Sequence, residues 1–175
     1  MLTPSAALYD NITPIIRHFA HRSFNNFVEG VFLVARADES VEMYSGSEFG
    51  VVMKWGSECW GGKLGDGGFS VEWSPHRPAL FYVYRGGRAY YVDLMEDDGG
   101  AGVEGGQDMG MGGSVKFLGV TKGSKNVGKV AMIGGGDGGV LGMRTVCEEM
   151  VTEVERLSDD SELDWMKDWV ESVTF

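Results

Sequence analysis

Gly134-Gly135-Gly136-Asp137-Gly138-Gly139 is the stretch of this 175-residue chain whose glycine spacing fits phosphate chemistry. It matches G-x-G-x-x-G, a turn in which the N–H groups of a helix start can cradle an anion. The pattern places it between an expected strand and an expected helix, but a dinucleotide fold then needs a parallel strand with an acidic residue for the ribose. Here only a further helix is expected. There is no Gly-Lys-Ser/Thr ending, and Asp137 would repel phosphate, so the stretch reads as a flexible strand-to-helix connection. His18 and His21, beside Arg17 and Arg22 on an expected helix, read as surface residues, and metal ligation would need several donors converging. His76, in Ser74-Pro75-His76-Arg77-Pro78, has no nucleophile motif near it. No carboxylate pair stands in a context for acid and base work. The residue types therefore lead away from an enzyme, with no catalytic, cofactor or metal-binding residue expected.

Composition bounds the alternatives. With 43% hydrophobic residues, five Trp and nine Phe, the chain can bury a real core, and its length fits one domain over residues 1–175. A net charge of −11 disfavours nucleic acid and anionic membranes, which are bound through clustered Lys and Arg. Protein partners suit it better. The stretch from Glu148 to Glu171 is strongly acidic, which reads as a solvated helix face or as a dock for a basic partner. No run reaches the roughly 20 apolar residues that span a bilayer, and residues 1–20 lack a secretory pattern. Cys59 and Cys147 lie outside any Cys-x-x-Cys spacing. Two buried thiols in a reducing, cytoplasmic compartment are expected, a disulfide being the lesser alternative.

The elements that must position these residues follow from periodicity. Leu8, Ile12, Ile15, Ile16 and Phe19 form a helical stripe behind the Thr3-Pro4 start signal. Val31–Val34 and Val41–Tyr44 around Asp38-Glu39-Ser40 predict a hairpin. Residues 49–64 fit either a strand or a helical face, their glycines favouring strand. Leu80–Tyr84 and Ala89–Leu94 around Gly86-Gly87 predict a second hairpin. Residues 99–113 hold eight glycines, so 96–113 reads as a mobile insertion. Residues 115–120 and 127–133 predict two more strands. Val140, Met143, Val146, Cys147, Met150, Val151, Val154 and Leu157 predict a helix. A further helix is expected within 158–175, with Ser161 as cap and Leu163, Met166, Trp169, Val170 and Val173 on its apolar face. Trp165 and Trp169, four apart on this acidic piece, are candidates for a protein contact.

Some segments resemble the Roadblock/LC7 family: Met1-Leu2-Thr3-Pro4-Ser5-Ala6-Ala7-Leu8, the hairpin from Val31 to Gly46 ending Met43-Tyr44-Ser45-Gly46, and Lys129–Ile133 followed by Gly139–Met143. The first is similar to the opening of a Roadblock subunit of Ragulator or EGO complexes. The resemblance implies an α+β fold, an antiparallel sheet of about five strands flanked by an N-terminal and a C-terminal helix in a profilin-like sandwich, with an extra C-terminal helix. It also implies a non-enzymatic adaptor that pairs with a Roadblock-type partner and, through a lipid-anchored scaffold protein, supports Rag-type small GTPases at the lysosome or vacuole, with no membrane insertion of its own. Residues 49–64 would then be a helix at the dimer surface. Val52, Trp55, Cys59, Trp60, Leu80, Tyr82 and Tyr84 become interface candidates alongside Trp165 and Trp169.

A second reading keeps residues 49–64 as strand. A longer antiparallel meander could then curl into a small-ligand-binding shell whose apolar cavity is lined by Tyr82, Tyr84, Tyr90 and Tyr91.

Overall fold

The computed structural model describes residues 19–46, 50–61, 68–96, 106–108, 119–121, 131–135, 141–145 and 161–174; within 19–21, 107–108, 119–121, 131–135 and 141–145 it describes the backbone. The architecture is mostly β. Strands β1 (Phe19–Phe24), β2 (Phe32–Arg36), β3 (Val41–Ser45) and β4 (Gly50–Trp55) form an antiparallel sheet in that order. A second antiparallel sheet follows in sequence order: β5 (Phe69–Trp73), β6 (Leu80–Arg85), β7 (Arg88–Asp93) and β8 (Gln107–Asp108). A third holds β9 (Gly119–Thr121), β10 (Ala131–Gly135) and β11 (Leu141–Thr145). Helix α1 (Glu162–Val173) ends the described chain.

Each sheet is a meander: strands that neighbour one another are consecutive in sequence. The β6–β7 turn is set by Gly86 and Gly87, both at positive φ (54° and 89°), which a two-residue hairpin needs at both central positions. The β2–β3 turn places Glu39 at φ 62° and is tied by Ser40 Oγ donating to Asp38 Oδ1 over 2.6 Å. A bulge where β3 meets β4 leaves Val52 opposite no partner, between the Met43–Met53 and Tyr44–Val51 pairs.

The first two sheets pack face to face. Val31, Leu33, Ala35, Val41, Met43 and Trp55 from one meet Val71, Trp73, Phe81, Val83, Tyr90 and Val92 from the other in a continuous buried cluster. The opposite faces are buried as well: Phe32, Val34 and Tyr44 on the first sheet, Leu80, Tyr82 and Tyr84 on the second. That explains why β2, β3 and β6 read as near-continuous apolar runs, since neither face of these strands alternates with solvent. The leading strands of successive sheets run near one another, β1 by β5 and β5 by β9, and each sheet then extends away in sequence order.

This corrects the expected α+β sandwich. The described residues alone hold eleven strands in three sheets, in place of one sheet of about five. The N-terminal helix lies outside the described residues except at its end, where Phe19 and His21 belong to β1, paired with Arg36 and Ala35 of β2. Phe19 had closed a helical stripe, but cross-strand pairing with β2 overrides a local period. The helix expected over residues 140–157 is likewise a strand where described: Leu141–Thr145 pairs antiparallel with Ala131–Gly135. Over five residues Leu141, Met143 and Thr145 also alternate with period two, and Gly142 disfavours helix. Gly134 and Gly135 therefore lie in strand β10, whose partner is the next strand. Where the expected helix would follow, Leu141–Thr145 is a strand. Residues 49–64, required as a helix by the Roadblock resemblance, hold strand β4 and a 3-10 turn at Ser57–Cys59. Of residues 96–113, Gln107–Asp108 pairs with β7, and a Cβ at Gly106 would meet the Trp60 ring and the Tyr90 Cβ at 2.9 Å, so the backbone passes close by both side chains.

Candidate functional site

Strand β6 is bracketed by two arginines, Arg77 just before it and Arg85 at its end, and each organises one end of the two-sheet core. At the first end, Ser74 Oγ accepts from the N–H groups of His76 and Arg77, which turns the Ser74–Ala79 loop inward. The Arg77 guanidinium is buried between two carboxylates: Nη2 lies 2.8 Å from Asp93 Oδ2, and Nε lies 2.9 Å from Glu162 Oε2. Burial disfavours the charge, but Glu162 and Asp93 outweigh it and hold the guanidinium above its ordinary pKa. Glu162 Oε1 also accepts from the Ala79 N–H at 3.1 Å. Asn25 joins this end to the first sheet, donating to Pro78 O at 2.9 Å, and Ser23 Oγ accepts from Trp73 N–H at 2.9 Å while donating to Glu72 at 3.0 Å.

Helix α1 lies across this end. Ser161 caps it, accepting from Asp164 N–H, and Met166 and Val170 point into the core. It begins at the second sheet, through Glu162, and finishes at the first, where Thr174 Oγ1, which donates to Val170 O at 2.5 Å, lies 3.4 Å from Ser45 Oγ. Twelve residues span about 18 Å, enough to bridge both meanders.

At the opposite end, Arg85 Nε donates to Glu39 Oε2 at 2.9 Å, and its Nη1 donates to the carbonyls of Ser57 and Trp60. Trp60 Nε1 in turn donates to Glu39 O at 3.1 Å, and Tyr90 Oη donates to Gly61 O. The left-handed backbone at Glu39 thus turns its carboxylate to Arg85 of the second sheet and its carbonyl to Trp60.

A third polar group spans β2, β3 and β4 of the first sheet. Glu42 accepts from Arg36 (2.7 Å), Lys54 (3.1 Å) and Tyr44 Oη (2.8 Å). Burial pushes its carboxyl up, but those hydrogen bonds outweigh the penalty and leave it below the usual range. Burial and the Glu42 carboxylate push the Tyr44 phenol up to about 12. Below pH 10 this group is neutral folded or unfolded; between pH 10 and 12 the unfolded chain loses a proton that the folded chain keeps, so stability falls across that window. Tyr44→Phe is expected to cost about 0.5–1.5 kcal/mol at neutral pH and to converge with the parent as pH rises from 10 to 12, read from urea midpoints.

The interface candidates fall in different places. Trp55 and Trp60 are 1% exposed, and Leu80, Tyr82 and Tyr84 are buried too. Val52 and Cys59 are half-buried against the same core; Cys147 lies outside the described residues. Val51, the neighbour of Val52 on edge strand β4, is instead 51% exposed. Trp165 and Trp169 stack with ring centroids 5.9 Å apart at 11°, half-buried, and the Trp169 N–H is buried without a hydrogen-bond partner. The residues that tie the structure together, Arg77, Asp93, Glu162, Glu39 and Arg85, were not singled out by sequence. The available signal was an arginine set between two prolines just before the apolar run Leu80–Tyr84. Among the described residues no group of three His, Cys, Asp or Glu could hold a metal ion, and no helix is long and apolar enough to cross a membrane.

These features define a mostly β chain of successive antiparallel meanders, clasped at both ends of their shared core by arginine-centred hydrogen bonds. No family model matches it. Cytoplasmic dynein 2 intermediate chain 1 of Mus musculus is 35% identical over 76 residues, 43% of this chain and 7% of that protein. Two solved structures resemble it over 74% of its length: Saccharomyces cerevisiae Sqt1 (TM-score 0.48, 15% identity, 31% of that chain) and KlHsv2 with loop 6CD replaced by a Gly-Ser linker (TM-score 0.37, 13% identity, 39% of that chain). The chain spans well under half the length of each.

Proposed function

We propose that this chain is a non-enzymatic, cytoplasmic protein-binding scaffold whose sheets are successive blades of a propeller, in a subunit of the dynein intermediate chain type. The observation that carries the reading is the radial order: leading strands neighbour one another while each four-stranded meander runs outward, with its central strands buried on both faces. Such blades leave their loops and edges for partners. The 35% identity with a dynein 2 intermediate chain supports the assembly class. The ion pairs of Arg77 with Asp93 and Glu162 and of Arg85 with Glu39 hold sheets and helix together, which supports a scaffold. Pairing through a Roadblock-type middle helix, with Rag-type GTPases as partners, is not carried forward, because residues 50–55 are strand.

The small-ligand shell is weaker, since the space between the first two sheets is filled by Trp55, Trp73 and Phe81 in edge-on contact. Gradient sedimentation of the tagged chain with cytoplasmic dynein 2 subunits tests the proposal. Co-sedimentation is the expected result; migration as a free 19.0 kDa species overturns the assembly class, and a stoichiometric small molecule in the purified protein would favour the shell.

A further inference from the structure

The end of the core under α1 is built like a receptor. Arg77 is held from its own side, its N–H on Ser74 Oγ at 3.1 Å and its Nη2 on Asp93, whose Oδ1 accepts from Met95 N–H at 3.1 Å. These contacts lie within residues 74–95, so they hold the guanidinium in place whether or not the helix is docked. Glu162, from 85 residues further along the chain, adds one oxygen for Arg77 Nε and one for the Ala79 N–H. Both oxygens are read, and the residue is 1% exposed. Four and eight positions on, Met166 and Val170 enter the core on the same helical face. The opposite face carries Asp164, Lys167, Asp168 and Glu171 into solvent. A 12-residue helix is marginal alone even with a cap, so its order comes mainly from docking.

We propose that this end of the core is a helix-docking site, which recognises an amphipathic helix bearing a glutamate at its first position and apolar residues four and eight positions later. The occupant is α1 of the same chain, held as an exchangeable clasp. Recognition is ionic and register-setting at Arg77 and apolar beyond it, so the same helix offered from outside fills the site once the internal copy is disabled. The proposal stands independently of the propeller reading and of any dynein partner.

The test uses the full chain. Met166→Asp disables α1 in cis without touching Arg77, Asp93 or Ala79. A fluorescently labelled peptide of residues 158–175 is then titrated and followed by anisotropy, with hydrogen exchange reporting on β2, β3 and β6. The expected result is saturable binding to M166D, at least tenfold weaker binding to the parent chain, whose site is filled, and at least tenfold weaker binding of the same peptide carrying E162Q. Absence of binding to folded M166D overturns the proposal, as does equal binding of the E162Q peptide, which would mark unspecific apolar adhesion. If M166D fails to fold, Val170→Asp at the rim takes its place; loss of strand protection in that variant also overturns it, since α1 would then be inseparable from the core.

Discussion

Arg77→Met is expected to destabilise the protein by about 3–5 kcal/mol, the cost of breaking a buried ion cluster by removing one partner. The arginine side chain is 3% exposed, that of Asp93 5% and that of Glu162 0%. Without the guanidinium, two carboxylates face one another in a site with little water. Asp93 keeps the Met95 N–H and Glu162 keeps the Ala79 N–H, neither of which supplies positive charge. With a urea slope of about 2 kcal/mol per molar, the unfolding midpoint should fall by roughly 1.5–2.5 M. The double variant Arg77→Met with Glu162→Met should be more stable than Arg77→Met alone, because it removes a stranded charge and replaces it with an apolar chain of similar length. If the single variant shifts the midpoint by less than about 0.5 M, or the double is the worse of the two, the cluster is solvated and the argument from burial fails.

The cluster also shows where sequence reasoning stops. The Ser161 cap and the apolar face of α1 are local, and periodicity finds them. So are the β2–β3 and β6–β7 hairpins, the latter because Gly86 and Gly87 demand positive φ. The glutamate of α1 that is buried cannot be chosen from spacing, since its partner is 85 residues away and lies in a proline-flanked loop that resembles any surface turn. The same limit explains β1 and β11. Each is a segment of five or six residues whose pattern fits two periods, decided by a neighbour's free backbone groups. The sheet count was hidden for a related reason: with both faces of β2, β3 and β6 buried, the alternation that would mark one sheet face against solvent is missing. The tryptophans before β5 were legible as important. Their role was not, because a large aromatic in an ambiguous segment fits a core as well as an interface.

Trp55 separates those two roles. It ends β4 with its ring edge-on to Phe81 at 5.0 Å and 66°, while Trp73 meets the same Phe81 from its own sheet at 5.5 Å and 71°. Phe81 is thus held between an indole from each sheet, at the centre of the face that joins them. Trp55→Ala would open a cavity that rigid strands on both sides can close only in part, and is expected to cost about 3–5 kcal/mol. Trp55→Phe should cost much less, because it keeps an aromatic edge against Phe81 and loses no hydrogen bond, the indole N–H having none. A surface used for pairing behaves otherwise. Its loss would act on association, and the parent's unfolding midpoint would rise with protein concentration, as it must when the folded form is an oligomer. The core role requires midpoints of the parent and of Trp55→Phe that stay constant over a tenfold range of concentration, with Trp55→Ala displaced by the same free energy at each. A concentration-dependent parent midpoint, abolished by Trp55→Ala, would return this residue to an interface and remove the face-to-face packing of the first two sheets as the source of its burial.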